Sequence, residues 1–125
     1  MTITDHNEKP RFAHPSEEEF AALLDYYQIR WAYEPDTFCL SRDGDGNPTE
    51  AFSPDFYLID FDLYIEVTTA RQKLIAHKRR KVRRLQELYP AVNIKLLTRQ
   101  DFLQMLDKYG LEDEESDLIG KDALE

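Results

Sequence analysis

Apolar residues first recur at helical spacing in Phe20, Leu23, Leu24 and Tyr27, behind the polar run Ser16-Glu17-Glu18-Glu19. That spacing predicts a helix, and Ser16 with Glu19 reads as a capping box after Pro15. Three acids in the first turn suit the positive end of the helix dipole. The period then shortens. Residues 29–33, 37–41, 51–58 and 62–68 alternate or run apolar, which predicts four short strands. Asp43-Gly44-Asp45-Gly46-Asn47-Pro48 is the strongest turn signal and joins the second strand to the third, while Ile59-Asp60-Phe61 makes a tight turn before the fourth. Helical spacing returns over 72–89 and stops at Pro90. Residues 92–98 form a Val-, Ile- and Leu-rich strand, and 100–109 a last helix ended by Gly110. The predicted order is αββββαβα, an α/β fold with a mixed sheet flanked by helices. The stretch 62–98 reads as a strand–helix–strand crossover, whose strands lie parallel with a right-handed connection.

The 125 residues bound this to one domain with one core. Residues 1–13 are polar and irregular and read as a loose arm, 14–110 as the folded domain, and 111–125 as a solvated acidic tail. Residues 112–125 carry seven acids and one lysine, with little apolar content. Cys39 is the single cysteine and excludes an internal disulfide; its apolar surroundings predict an inert buried thiol. No run is apolar enough to span a membrane and no basic-then-apolar leader opens the chain, so a cytoplasmic protein is expected.

The net charge of −9 argues against a polyanion partner until it is mapped. Residues 71–84 hold eight of the sixteen lysines and arginines and no acid. This stretch reads either as a solvated helix face or as the electrostatic footprint of a nucleic acid. Arg71, Lys73, Arg79, Arg80, Lys81, Arg83 and Arg84 are the candidate phosphate contacts, and they carry no sequence readout.

Two acids interrupt strand-like runs: Asp55 after Pro54, and Glu66 in Tyr64-Ile65-Glu66-Val67-Thr68. Side chains alternate across a strand, so Leu63, Ile65 and Val67 face the core while Tyr64, Glu66 and Thr68 share a partly open face. The short turn makes the two strands antiparallel neighbours, and their carboxylates can converge on one cation. A main-chain carbonyl near Val67 would add an oxygen. Magnesium or manganese suits such hard-oxygen ligands and would activate water against a phosphodiester. Either acid alone reads more readily as an ion-pair partner of Arg71 or a nearby lysine; the pair on adjacent strands, after the Pro-Asp dipeptide, reverses that preference. Asp43, Asp45 and Asn47 imitate a calcium loop, but Pro48 and Pro54 stand where that loop needs glycine and glutamate, so a hairpin turn explains them. His14 and His77 lack ligand partners at metal spacing.

Pro54-Asp55 and Glu66-Val67-Thr68, in this order of elements, resemble the PD-(D/E)XK nuclease superfamily over residues 16–105. The resemblance implies a restriction-endonuclease-like core, magnesium- or manganese-dependent cleavage of DNA, and a metal held by Asp55 and Glu66. It also implies a further metal-facing glutamate from the first helix, with Glu19 the best match and Glu18 next, and a supporting role for Gln72. Thr68 replaces the motif lysine, and a neutral hydroxyl cannot do that lysine's work. Some members move the lysine to the following helix. Here Lys78 completes the stripe Leu74 or Ile75, Val82, Leu85 and Tyr89, where it either snorkels outward or reaches the carboxylates, with Lys73 behind it. The alternative is a fold that lost the chemistry and serves as a nucleic-acid-binding or protein-interaction scaffold. RNA as substrate and a homodimer or protein partner also remain open.

Overall fold

The structure, a computed structural model, describes residues 10–69 and 71–109. Helix α1 (Pro15–Tyr26) leads into strands β1 (Trp31–Tyr33), β2 (Phe38–Arg42), β3 (Pro48–Phe52) and β4 (Phe56–Leu58). A single 3-10 turn, Ile59–Phe61, connects β4 to β5 (Leu63–Val67). Helix α2 (Gln72–Leu88), β6 (Ile94–Leu97) and α3 (Arg99–Tyr109) complete the fold. The fold is mixed α/β, with a four-stranded mixed sheet in the order β1-β4-β5-β6 and a separate β2–β3 hairpin. β1–β4 and β4–β5 are antiparallel, whereas β5 and β6, joined across α2, are parallel as the crossover predicts.

Five strands precede α2, not four, because the expected strand over 51–58 is two strands. Ser53, Pro54 and Asp55 separate β3 from β4, and Pro54 has no N–H for a ladder. The chain uses this break to pass from the hairpin into the main sheet. The start of α1 also differs. Pro15 is the first helical residue and His14 the N-cap, with no side-chain cap. Proline's fixed φ and missing donor suit that position, which displaces the Ser16–Glu19 capping box. The box appears instead at α3, where Thr98 Oγ1 accepts from Asp101 N and Asp101 Oδ2 from Thr98 N, each at 3.0 Å. In the hairpin turn, Asp43 Oδ1 accepts from the amides of Asp45 and Asn47, and Gly46 takes a positive φ of 86°.

Each face of the main sheet has its own core. On one face Phe20, Ala21 and Leu24 of α1 and Phe102 and Leu106 of α3 bury Phe56, Leu58, Ile65 and Val67. Phe56 is fully buried within a ring of aromatics: Phe12, Phe20, Trp31 and Tyr33 all lie within 6.2 Å of it between centroids. Phe12 thus ties the end of the expected loose arm to the core; residues 1–9, Gly110 and the acidic tail lie outside the described residues. On the opposite face Val82 and Leu85 of α2 meet Leu40 and Phe52 of the hairpin over Ile94, with Tyr64 and Leu96 packed alongside. Arg84 Nε and the Tyr89 hydroxyl bond the carbonyls of Leu40 and Cys39, strapping the hairpin to α2. Cys39 is a free thiol, half-buried rather than enclosed, and its Sγ donates to Ser41 O.

Truncating Phe56 to alanine removes the ring on which α1, β1 and the Phe12 segment converge. Denaturant unfolding of Phe56→Ala is expected to show a loss of about 3–5 kcal/mol, as for buried aromatic-to-alanine changes generally; a loss below about 1 kcal/mol would contradict this packing.

Candidate active site

The site forms where β4 stops. Phe56 pairs with Ile65, so the next residue back, Asp55, lies across from Glu66 just beyond the last ladder pair. On the far side the backbone continues, since Glu34 N donates to Asp55 O. Toward β5 it does not, because Pro54 offers no donor. Side chains fill the gap. Val67 N donates to Asp55 Oδ2 at 2.8 Å, and Asp55 N donates to Glu66 Oε1 at 3.1 Å. The two carboxylates thus finish the strand pairing that the proline interrupts.

This face is covered rather than partly open. α2 and the hairpin lie over it, leaving Asp55 5% and Glu66 6% exposed. Lys78 reaches in from α2. Its Nζ donates to Val67 O at 2.6 Å and stands 3.6 Å from Glu66 Oε2, an ion-pair separation too long for a hydrogen bond. The stripe that orients it runs through Ile75, Lys78, Val82, Leu85 and Tyr89, while Leu74 is exposed. Of the two readings of Lys78, the inward one describes its position. Lys73 is exposed.

A third carboxylate comes from the other layer. Glu17, only 4% exposed, accepts from the Tyr33 hydroxyl and from Ala13 N. Its charge raises the proton affinity of both Asp55 and Glu66. The glutamate of α1 that acts on the pair is therefore Glu17, whereas Glu18 and Glu19 are exposed. Glu17 continues the buried stripe Phe20, Ala21 and Leu24 by one turn. That i, i+3, i+4, i+7 spacing was readable in the sequence, and the capping-box reading obscured it. Tyr33 carried no comparable signal.

The electrostatics follow from burial. Desolvation first, then the Glu66 charge, push Asp55 up to about 8, against the hydrogen bond from Val67 N and the charge of Lys78. Desolvation likewise pushes Glu66 up to about 7, opposed chiefly by Lys78. Two facing carboxylates on a covered sheet resist joint ionisation, and among the described residues the Lys78 ammonium relieves them.

Could these residues hold a divalent cation? Each acid commits one oxygen to a backbone amide, leaving Asp55 Oδ1 and Glu66 Oε2 without a hydrogen bond among the described residues. Two carboxylates, completed by water and a substrate phosphate, suit magnesium's habits. Among the described residues no set of three or more His, Cys, Asp or Glu side chains forms a complete cage. What the described residues would offer a cation is these two carboxylates.

The remaining candidates are dispersed. Thr68 is buried, and its hydroxyl donates to Thr69 O rather than to either acid. Gln72 opens α2, and its side chain lies outside the described set. Along α2, Arg80 pairs with Glu50, Lys81 lies 5.8 Å from the Phe52 ring, and Arg84 is held by Leu40 O and Glu87. Arg71, Lys73, Arg79 and Arg83 are exposed with no partner among the described residues. Four of the seven candidate contacts are thus without a partner among the described residues. No helix of the described residues is long and apolar enough to cross a membrane.

Neither family models, nor curated proteins, nor solved structures yield a match to this chain.

Because Asp55 and Glu66 bind protons more tightly when folded than when unfolded, their contribution to stability is full at acidic pH. It is lost as pH rises from the ordinary carboxylate range through about 8. In EDTA-containing buffer, Tm should fall as pH rises from about 5 to about 9. Asp55→Asn, which keeps the acceptor for Val67 N, should flatten the fall; equal pH profiles for the variant and wild type would contradict the assignment.

Proposed function

We propose that this chain is a metal-dependent phosphodiesterase of the endonuclease kind, acting on DNA and built on a restriction-endonuclease-like core. The observation that carries the reading is the convergence of Lys78 on the Asp55–Glu66 pair, 3.6 Å from Glu66 Oε2. Thr68 leaves the motif without a base or cation, and Lys78 supplies a positive charge beside both acids from α2.

In this reading Asp55 and Glu66 hold a magnesium or manganese ion, with Glu17 close enough to add to the negative field. Bound there, the ion would polarise a phosphodiester and lower the pKa of an attacking water. The residues of the chain do the rest. The sheet-end hydrogen bonds fix both carboxylates before substrate arrives, so little reorganisation is needed. The ammonium of Lys78 neutralises charge that develops on the phosphate. Arg71, Lys73, Arg79 and Arg83 are free to contact backbone phosphates, an electrostatic grip without base readout.

One observation favours the scaffold alternative: the acids are nearly closed off by α2 and the hairpin, with Asp55 5% and Glu66 6% exposed. A cutting enzyme must open that cover or thread phosphate beneath it, whereas a binding protein could keep the pair only to close its sheet end.

The deciding assay incubates branched, single-stranded and duplex DNA with the protein in magnesium or manganese. Cleavage is expected, and Asp55→Ala, Glu66→Ala should reduce its rate by about a hundredfold or more. Activity surviving in the double variant would mark a contaminant; no cleavage and no bound metal would favour the scaffold. In parallel, Arg79→Ala with Arg83→Ala should weaken binding to all DNA sequences alike and reduce the slope of log affinity against log salt by about two. An unchanged slope would place the DNA elsewhere.

A further inference from the structure

At Val67 an ammonium already holds the backbone carbonyl beside the two acids. The break at Pro54 exposes both backbone groups of Val67 toward β4, and they are satisfied differently. The N–H goes to a carboxylate, Asp55 Oδ2, and the C=O goes to an ammonium, Lys78 Nζ at 2.6 Å. Of the two carboxylate oxygens that no backbone amide reaches, Glu66 Oε2 stands 3.6 Å from that ammonium, and both acids feel the Lys78 charge. An ammonium and a hard divalent cation seek the same partners: a carbonyl oxygen and anionic carboxylates.

We infer that Lys78 is the resident counter-cation of this site, that a divalent ion must displace its ammonium from the Val67 carbonyl, and that displacement frees the ammonium for the substrate phosphate. The inference rests on the phosphodiesterase reading and adds an order of events to it. Two cations crowded at one carbonyl would repel strongly inside a covered site. The ammonium has somewhere to go: its side chain keeps 22% of its surface exposed, against 8% for Glu66, and hangs on a flexible four-carbon stem. Lys78 is then both the chain's own placeholder, which keeps two facing acids together without metal, and a charge that loading releases. The same lysine would weaken metal binding and assist cleavage, so removing it moves the two in opposite directions.

Calorimetric titration of the metal-free protein with manganese alone, near pH 8.5, tests this in wild type and Lys78→Met. The variant should bind manganese about tenfold more tightly, a size common for coupling between two ligands, while losing cleavage. Equal affinities overturn the displacement and leave the phosphodiesterase reading standing; binding in neither protein overturns both. Should Lys78→Met fail to fold, wild type suffices. Lysine-selective NMR should show the Lys78 side-chain resonance moving toward those of exposed lysines as magnesium is added. A resonance that stays put at saturation overturns the proposal.

Discussion

One interrupted strand pairing organises this molecule. Antiparallel strands normally satisfy each other's amides and carbonyls along their whole length. Here β4 cannot continue past Phe56 toward β5, because Pro54 brings no donor and the chain must leave for the hairpin. An unpaired backbone group in a covered sheet costs about as much as a lost hydrogen bond or more. The Asp55 carboxylate and the Lys78 ammonium meet that demand at Val67, and the Asp55 amide meets the Glu66 carboxylate in turn. A local backbone fault has become a cluster of charges held at fixed positions.

The two layers around the sheet make that cluster unusual in strength. α2 and the strapped hairpin exclude water from one side, while α1 brings Glu17 in from the other. Desolvation then dominates the behaviour of both acids, and opposing charge from Lys78 only partly offsets it. The packing that stabilises the domain therefore also tunes the site, because Val82 and Leu85 fix the helix that carries Lys78. Moving α2 by one residue would bury a different side chain there and leave the acids without a counter-cation.

Much of this was legible in the chain before folding. The turn at residues 43–48, the parallel crossover over α2 and the core faces of β5 follow from local chemistry and periodicity. The proximity of Asp55 and Glu66 followed from a short connection between antiparallel strands. The Lys78 stripe was also readable, though its direction was not: an amphipathic side chain can leave a helix face either way, and only the sheet beneath it selects one. Two misreadings had one cause each. Residues 51–58 look continuous in hydrophobicity, and the change of sheet at Ser53-Pro54-Asp55 depends on where the hairpin packs. Glu19 satisfied a capping pattern, yet Glu17 is the residue whose spacing to Phe20, Ala21 and Leu24 puts it in the buried row.

Apart from the break at residues 53–55, the sequence by itself determined which segments are helix and strand, and which residue types could do chemistry, because those depend on neighbours within a few positions. Tertiary structure alone decided the rest. It buried a face that alternation left half open, joined Tyr33 to Glu17 across sixteen residues of separation, and engaged Arg80, Lys81 and Arg84 of the basic helix with Glu50, Phe52 and Leu40. These are contacts between distant segments, and their energies depend on water being excluded between them. No periodicity along a single strand or helix encodes that exclusion.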